Sequence, residues 1–195
     1  MQAKHGGMLA YAEYLERTAQ PGAEPVVWSW REVETEITGR QHDVQGTVAL
    51  SGAEVASGGT VAPGLSLVIQ VLNPGESTKH HRHSFWHLYT VRSGVGAASF
   101  GDAPASKTLV EGDVLFVPAW CYHAVSNREG SGPLVLFRLQ NLPQNASTGN
   151  LAREDDGQLK LIYASVPAAV SSALSSAVSS TFAAAISEVP VDLHL

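Results

Sequence analysis

A histidine-rich stretch constrains the fold of this chain more than any other feature. Residues 75–96 read GESTKHHRHSFWHLYTVRSGVG and contain four histidines. In an extended strand, side chains two positions apart point to the same face of the sheet. If the stretch is one strand, one face carries His81, His83, Phe85 and His87, and the other carries His80, Arg82 and Trp86. Imidazoles grouped on one face in this way are typical of a metal site.

A second patterned segment brings a fifth histidine. Residues 112–127 read GDVLFVPAWCYHAVSN, with an apolar run at Val114–Val117 that ends at Pro118 and leads to His123. A third imidazole from a neighbouring strand would complete three neutral nitrogen ligands on one side of an ion and leave its other side open. The candidate metal-ligating residues are therefore His81, His83 and His87 on the first strand and His123 on the second.

The segments around these histidines predict an all-β fold. Gly64–Leu72 and Leu134–Gln140 are rich in β-branched and apolar residues, and residues 97–100 form a shorter candidate strand. Gly and Pro separate these segments, and no helical pattern lies between them. Short, closely spaced strands of this kind indicate an antiparallel barrel or a double-sheet sandwich.

The remaining segments carry weaker patterns. Helical spacing predicts amphipathic helices at 8–18 and Ala168–Ser187, whose apolar stripe would pack on the barrel or on another subunit. Alternation predicts a strand at Val26–Arg31. Three polar, poorly patterned segments are predicted to lack regular structure or, in the first, to form a meander of short strands or a long loop: Glu32–Pro63, Gly101–Lys107 and Asn145–Gly157.

Composition excludes several functions. The formal charge is −6 over 195 residues and no basic patch is present, so neither nucleic acid nor an anionic membrane is the expected partner. The single cysteine, Cys121, allows no internal disulfide and is expected to be a reduced, inert thiol in a cytoplasmic setting. No signal peptide or membrane span is expected from the sequence.

Two motifs in the chain resemble those of the cupin superfamily. The first is a glycine, five residues, His-x-His, a position usually held by glutamate, and a further glycine. It matches Gly75, His81, His83, His87 and Gly94. The second is a glycine, five residues, a proline, then histidine and asparagine. It matches Gly112, Pro118, His123 and Asn127.

Within the cupins, the chain looks most like the gentisate 1,2-dioxygenase group, and specifically like the C-terminal cupin half of that group. The supporting residues are Pro25, Trp28 and Trp30, Pro74-Gly75-Glu76, His81-Arg82-His83, Pro118 and Trp120, Leu136-Phe137, Asn141 and Pro143. The resemblance implies a jelly-roll barrel of antiparallel strands. The expected organisation is an N-terminal helix and linker at 1–24, a barrel at 25–143 and an extension at 144–195.

The resemblance also implies chemistry. It implies Fe(II) held by three predicted ligands, His81, His83 and His123, with a small hydroxylated aromatic and O₂ bound at the open face. His87, at the position usually held by glutamate, is a candidate fourth ligand or a hydrogen-bond donor beside the metal. Three histidines also accept Mn²⁺, Ni²⁺ or Zn²⁺, so a non-oxidative metal-dependent cupin, such as an isomerase or hydrolase, is a competing prediction. A non-catalytic ligand-binding or accessory subunit of a larger oxygenase is another. A homodimer or higher homo-oligomer is expected.

Five residues are candidates for contact with the substrate or for a place beside the metal ligands: Phe85, His87, Tyr89, Trp120 and Tyr122. Core packing is the alternative for Phe85 and Trp120, as it is for Trp86. Tyr89 stands where catalytic members of the group carry an arginine for the substrate carboxylate. Without that arginine, the sequence leaves gentisate-like hydroxybenzoates, hydroquinones, catechols and diketones open as substrates.

Overall fold

The computed structural model describes residues 7–18, 25–40, 43–52, 59–101, 105–128 and 130–163. Three helices lie within these residues: α1 (Tyr11–Thr18), α2 (Trp30–Gly39) and α3 (Leu142–Ser147). The strands are β1 (Val48–Leu50), β2 (Ser66–Leu72), β3 (His81–His83), β4 (His87–Ser93), β5 (Gly96–Phe100), β6 (Ala105–Leu109), β7 (Val114–Val117), β8 (His123–Ser126), β9 (Leu134–Gln140), β10 (Leu151–Asp155) and β11 (Gln158–Tyr163). The predicted helix at Ala168–Ser187 lies outside the described residues.

The strands form two antiparallel sheets that enclose one interior. The five-stranded sheet has the order β1-β2-β9-β4-β7, and the six-stranded sheet has the order β11-β10-β3-β8-β5-β6. Each predicted strand at Gly64–Leu72, 97–100, Val114–Val117 and Leu134–Gln140 coincides with a strand of these sheets. The predicted all-β, jelly-roll class is therefore confirmed, as is the short helix near the N-terminus.

The main core lies between the two sheets. It joins Leu72, Val117 and Leu136 from the five-stranded sheet to Ala98 and Val125 from the six-stranded sheet, all of them buried. Complete burial of an aliphatic side chain of this size stabilises the fold by about 1.5–3 kcal/mol. This dry packing fills one part of the interior, and the polar residues described below occupy another.

The prediction of a strand at Val26–Arg31 is wrong, as is the prediction of irregular chain or short strands directly after it. Residues 25–29 belong to no strand, and α2 begins at Trp30. The helical spacing of Trp30, Val33 and Ile37 explains the outcome, since these residues pack together on the outer face of the five-stranded sheet. The tryptophan alternation therefore marks the lining of a helix–sheet contact rather than a strand.

Two segments that were predicted to be irregular contain strands. Part of Gly101–Lys107 belongs to β6, which pairs with β5. Asn145–Gly157 contains the end of α3 and all of β10, which pairs with β3 and with β11. Polar side chains hid both strands, because β6 is exposed along most of its length and β10 ends in three consecutive charged residues, Arg153–Asp155. The six-stranded sheet consequently continues beyond residue 143 to Tyr163.

No helix among the described residues is long and apolar enough to cross a bilayer.

Candidate metal centre

The histidine stretch is two strands, not the single strand that the alternation predicts. His81 and His83 belong to β3 in the six-stranded sheet, whereas His87 begins β4 in the five-stranded sheet. The corner between them is fixed by Ser84, whose backbone and hydroxyl both bond to Ala152. Because the chain crosses from one sheet to the other, His83 and His87 approach each other from opposite walls of the barrel.

Four imidazoles meet in the interior. His81 lies directly opposite His123 of β8, and their ring centroids are 4.4 Å apart. The ring of His83 lies 5.0 Å from that of His123 and 4.4 Å from that of His87. All four side chains are buried, with 1–3% of their surface exposed. The structure therefore brings the three predicted ligands and the candidate fourth residue into one cluster.

Backbone carbonyl groups fix the orientation of three of these rings. The Nδ1 atoms of His81, His83 and His123 lie 2.7, 2.6 and 2.9 Å from the carbonyl oxygens of Lys79, Phe85 and Cys121, respectively. A carbonyl oxygen only accepts hydrogen bonds, so each Nδ1 carries the hydrogen and each Nε2 keeps a lone pair. Anchoring of the distal ring nitrogen in this way is the usual support of a metal-bound histidine.

Burial keeps these histidines neutral. Loss of solvent lowers the pKa of His81 to about 3, that of His83 to about 2 and that of His123 to about 4, with smaller contributions from neighbouring charges. Burial also lowers the pKa of His87 well below its ordinary value, and Arg138 adds to this effect. At neutral pH the imidazoles are consequently free bases, which is the form that binds a metal.

The donor set fits a metal ion. The ligand nitrogens of His81, His83 and His123 all lie within 4.8 Å of one another. The Nε2 atoms of His83, His87 and His123 are buried and have no hydrogen-bond partner within the described chain. Buried polar atoms are rarely left unpaired in a native protein. The unpaired Nε2 lone pairs of His83 and His123, whose Nδ1 atoms carry the hydrogen, are best explained by a cation held between them.

Two other predicted residues also lie at this cluster. The ring of Phe85 stacks on that of His83, with centroids 3.7 Å apart and an interplanar angle of 5°. The hydroxyl of Tyr89 lies 2.7 Å from Nδ1 of His87, and Tyr89 is 2% exposed. Phe85 therefore fixes the ring plane of one candidate ligand, and Tyr89 holds the fourth histidine.

Trp120 and Tyr122 lie elsewhere. They contact Arg82, whose side chain leaves β3 on the face opposite His81 and His83, and whose guanidinium lies 4.5 Å from the centroid of the Tyr122 ring and 5.8 Å from that of Trp120. Arg82 pairs with Glu154 at 2.7 Å, and the hydroxyl of Tyr122 donates to the same carboxylate. We call Arg82, Trp120, Tyr122 and Glu154 the outer cluster.

The outer cluster satisfies its own charges. Burial alone would raise the pKa of Glu154, but hydrogen bonds from Tyr122 and Arg82 hold it below its ordinary value. His80 stacks on Tyr122 with ring centroids 5.1 Å apart. These contacts explain Arg82, Tyr122 and His80 as residues that join β3 to its neighbours.

One charged residue at the site was missed by sequence reasoning. Arg138 of β9 lies opposite Tyr89 in the strand register, and its charge lowers the pKa of His83, His87 and His123. The alternation of β9 contained the signal, because Arg138 shares a strand face with Leu134 and Leu136 of the main core. An arginine on an inward-facing position of a core strand is unusual and indicates a specific role.

The fold and the histidine site define a class of protein. Residues 68–139 match the model of the cupin domain family, so this part of the chain is a cupin domain. Its strands β3 and β8 carry the two histidine motifs from which that class was expected.

The chain is also similar to two 1,2-dioxygenases of aromatic acids. It is 28% identical over 122 residues to 5-nitrosalicylic acid 1,2-dioxygenase of Bradyrhizobium sp., an alignment that covers 57% of this chain and 58% of the relative. It is 28% identical over 167 residues to 1-hydroxy-2-naphthoate 1,2-dioxygenase of Nocardioides sp. (strain KP7), covering 82% and 42% of the two chains. The chain thus spans about half the length of these relatives.

Solved structures support the fold. Salicylate 1,2-dioxygenase from Pseudaminobacter salicylatoxidans superposes with a TM-score of 0.58 at 22% identity, over 68% of this chain and 39% of that enzyme. A mutant form of the same enzyme in complex with gentisate gives a TM-score of 0.58 at 20% identity, over 67% and 37% of the two chains. At this identity the comparison establishes the shared barrel.

Proposed function

We propose that this protein is a non-haem Fe(II) dioxygenase that cleaves the ring of a small hydroxylated aromatic. The observation that carries the proposal is the set of three anchored histidines whose Nε2 atoms meet in the barrel interior. Similarity to two curated ring-cleaving dioxygenases supports the same reaction. Iron held by His81, His83 and His123 would bind the aromatic and O₂ together and pass electrons from one to the other.

The protein contributes a neutral, desolvated ligand set. Since His81, His83 and His123 are uncharged, they leave the positive charge of the ion undiminished, which favours a substrate that coordinates through anionic oxygens. No carboxylate belongs to the described metal-binding cluster. Binding of the substrate is therefore expected to supply most of the negative charge at the site.

His87 is proposed as a hydrogen-bond donor rather than a fourth ligand. Burial raises the pKa of Tyr89, so its hydroxyl keeps its hydrogen, and the positive charge of Arg138, which lies opposite Tyr89 in the strand register, attracts the lone pairs of the Tyr89 oxygen. The hydroxyl hydrogen of Tyr89 is then available to Nδ1 of His87, 2.7 Å away. In that arrangement the Nε2 atom of His87 carries its hydrogen and directs it towards the other histidines, where it would hydrogen-bond to an oxygen of the substrate or of O₂.

The test is O₂ consumption by protein purified without oxygen and loaded with Fe(II). Gentisate, salicylate, hydroquinone and catechol are each added, and O₂ uptake is compared with the loss of the ring absorbance. The proposal predicts one O₂ consumed for each ring opened with at least one of these compounds. A His83→Ala variant treated in the same way is the matched control and should consume none.

Two results would contradict the proposal. Iron bound at one equivalent, with no O₂ uptake on any compound, would instead favour a non-oxidative metal enzyme or an accessory subunit. If the folded protein retains no divalent metal, the proposal of a metal centre is itself wrong.

A further inference from the structure

The inward-facing Arg138 occupies a position that needs an anion. Strand β9 directs Leu134, Leu136 and Arg138 to the same side, and the two leucines are completely buried in the main core. Arg138 follows them towards the histidine cluster, opposite Tyr89 in the register with β4. Its Nε atom is buried and has no hydrogen-bond partner within the described chain.

The contacts that Arg138 does make are with neutral groups. One Nη atom lies 3.4 Å from the amide oxygen of Gln70, which is a long hydrogen bond, and Tyr89 lies opposite Arg138 in the strand register. Another Nη atom lies beside Gly46, where a Cβ atom would approach it to 3.3 Å. No carboxylate of the described residues forms an ion pair with Arg138.

Other charges near the site are already compensated. Arg153 of β10 pairs with Asp155 at 2.9 Å, and Glu154 pairs with Arg82 in the outer cluster. The surrounding histidines are neutral, so Arg138 is the uncompensated cation beside the metal-binding cluster in the described part of the chain. A partly desolvated cation without a counter-ion is costly, and a metal ion nearby would increase that cost until an anion binds.

We propose that Arg138 receives the carboxylate of the aromatic ligand and that it thereby selects hydroxylated aromatic acids over their uncharged analogues. This inference rests on the proposed function, because the ligand is the substrate of the same site. It also favours acidic substrates over the uncharged ones that the presence of Tyr89, in place of an arginine, had left open. The arginine missing from β4 is supplied by the neighbouring strand, where a guanidinium can pair with a carboxylate through two hydrogen bonds.

The test measures binding without turnover. The protein is loaded with Zn²⁺, which is redox-inert, and titrated anaerobically by calorimetry with salicylate and with salicylamide. The amide keeps the ring, the hydroxyl and the approximate shape of salicylate but removes its negative charge. Wild-type protein is expected to bind salicylate at least about 10-fold more tightly than the amide, as a charged hydrogen-bonded pair allows.

Three variants test whether Arg138 is the residue that binds the carboxylate. Arg138→Gln should weaken salicylate binding by about 10- to 100-fold and change salicylamide binding by less than about 3-fold. Arg138→Lys should recover part of the preference, since it restores the charge without the planar fork. Arg92→Gln is the control for net charge, because Arg92 is exposed and lies over Trp30 on the outer side of the sheet. Its salicylate affinity should equal that of wild type.

Zinc content and the melting temperature of each variant show whether the site is intact. If Arg138→Gln fails to fold, the comparison of wild type with Arg138→Lys decides the matter in the same assay. Equal binding of the two ligands by the wild type, binding of neither, or an unchanged preference in a folded Arg138 variant overturns the proposal. If the protein prefers salicylate to salicylamide but its iron form consumes no O₂, Arg138 remains the carboxylate-binding residue and only the proposed dioxygenase reaction is contradicted.

Discussion

Strand β3 separates two polar clusters that differ in whether their polar atoms are paired with each other. On its inner face, His81 and His83 join His87 and His123, and the Nε2 atoms of His83, His87 and His123 have no partner within the described chain. On its outer face, Arg82 pairs with Glu154, which also accepts from Tyr122. Both clusters depend on β3, and residues of each were candidates for the site.

The difference shows how to tell a binding site from a structural network. A native protein pairs most of its buried polar atoms. In the outer cluster, Glu154 pairs with Arg82 and Tyr122, which lowers the pKa of Glu154 despite burial, although Nε2 of the adjacent His80 has no partner in the described chain. The inner cluster orients its rings through Nδ1 and leaves the opposite nitrogens unpaired. Unpaired but firmly oriented atoms are preorganised for a ligand, whereas mutually satisfied atoms stabilise the fold.

The largest expected effect comes from breaking the inner cluster. His83→Ala should abolish metal retention, since it removes one of three ligands and the affinity depends on all of them. The measurement is metal content after dialysis against a weak chelator. His80→Ala is the matched control, because His80 stacks on Tyr122 at the outer cluster, and it should keep one equivalent. Full occupancy in His83→Ala would exclude that residue as a ligand.

Substitution of His87 tests whether this histidine is a metal ligand like the other three or a hydrogen-bond donor. His87→Ala should retain the metal and lower turnover by about 100-fold, the usual range for a positioned proton donor. Tyr89→Phe, which removes the hydroxyl that orients His87, should lower turnover less, by about 10-fold. Metal analysis and steady-state kinetics distinguish the two roles, and loss of metal from His87→Ala would make His87 a ligand.

Acid should destabilise the metal-free protein through the inner cluster. The pKa values of His81, His83 and His123 are about 3, 2 and 4 in the folded state, against about 6.5 in the unfolded chain. Between these values the unfolded chain binds more protons, so stability falls as the pH drops below about 6.5. Each histidine contributes up to about 1.4 kcal/mol per pH unit.

Urea titrations of the metal-free protein at pH 7 and pH 5.5 measure this effect. The pH 5.5 sample should unfold at a clearly lower urea concentration. Bound metal should oppose the loss at pH values where it stays bound, because protons and metal compete for the same nitrogens. An unchanged midpoint across this range would show that the histidines are solvated rather than buried.

A change in the outer cluster should affect stability alone. Glu154→Gln removes the charge that pairs with Arg82 and weakens the hydrogen bond from Tyr122, at an expected cost of about 1–2 kcal/mol. Metal content and substrate affinity should match those of wild type. Denaturant unfolding and metal analysis provide both values, and loss of metal in this variant would mean that the two faces of β3 are coupled.

Trp120 should give the smallest effect. It is 44% exposed and its ring lies 5.8 Å from the guanidinium carbon of Arg82, a contact worth about 0.5–1 kcal/mol at an exposed site. Trp120→Ala should reduce stability by no more than that and leave the relative kcat/KM values for different aromatics unchanged. A shifted substrate preference would instead bring Trp120 back into the ligand site.

Alternation along each strand was readable from the sequence, as were the interruptions by Gly and Pro. These patterns predicted β2, β7 and β9 closely, and the two motifs predicted which histidines meet. The helix α2 was missed because the tryptophans before it also fit a strand, and β10 was missed because its charged residues, Arg153 and Asp155, suggested a loop. In both cases a short segment is given its structure by the sheet on which it packs.

The sequence by itself determined the class of fold and the candidate metal-binding histidines, because both depend on residues close together in the chain or on fixed motif spacing. Only the tertiary structure decided that the chain crosses between sheets before His87, that Tyr122 and Trp120 turn to the outer face, and that Arg138 lies beside Tyr89. The physical reason is strand register. Pairing of β4 with β9 brings together residues that are far apart in the chain, such as Tyr89 and Arg138, and no local pattern encodes which of them will meet.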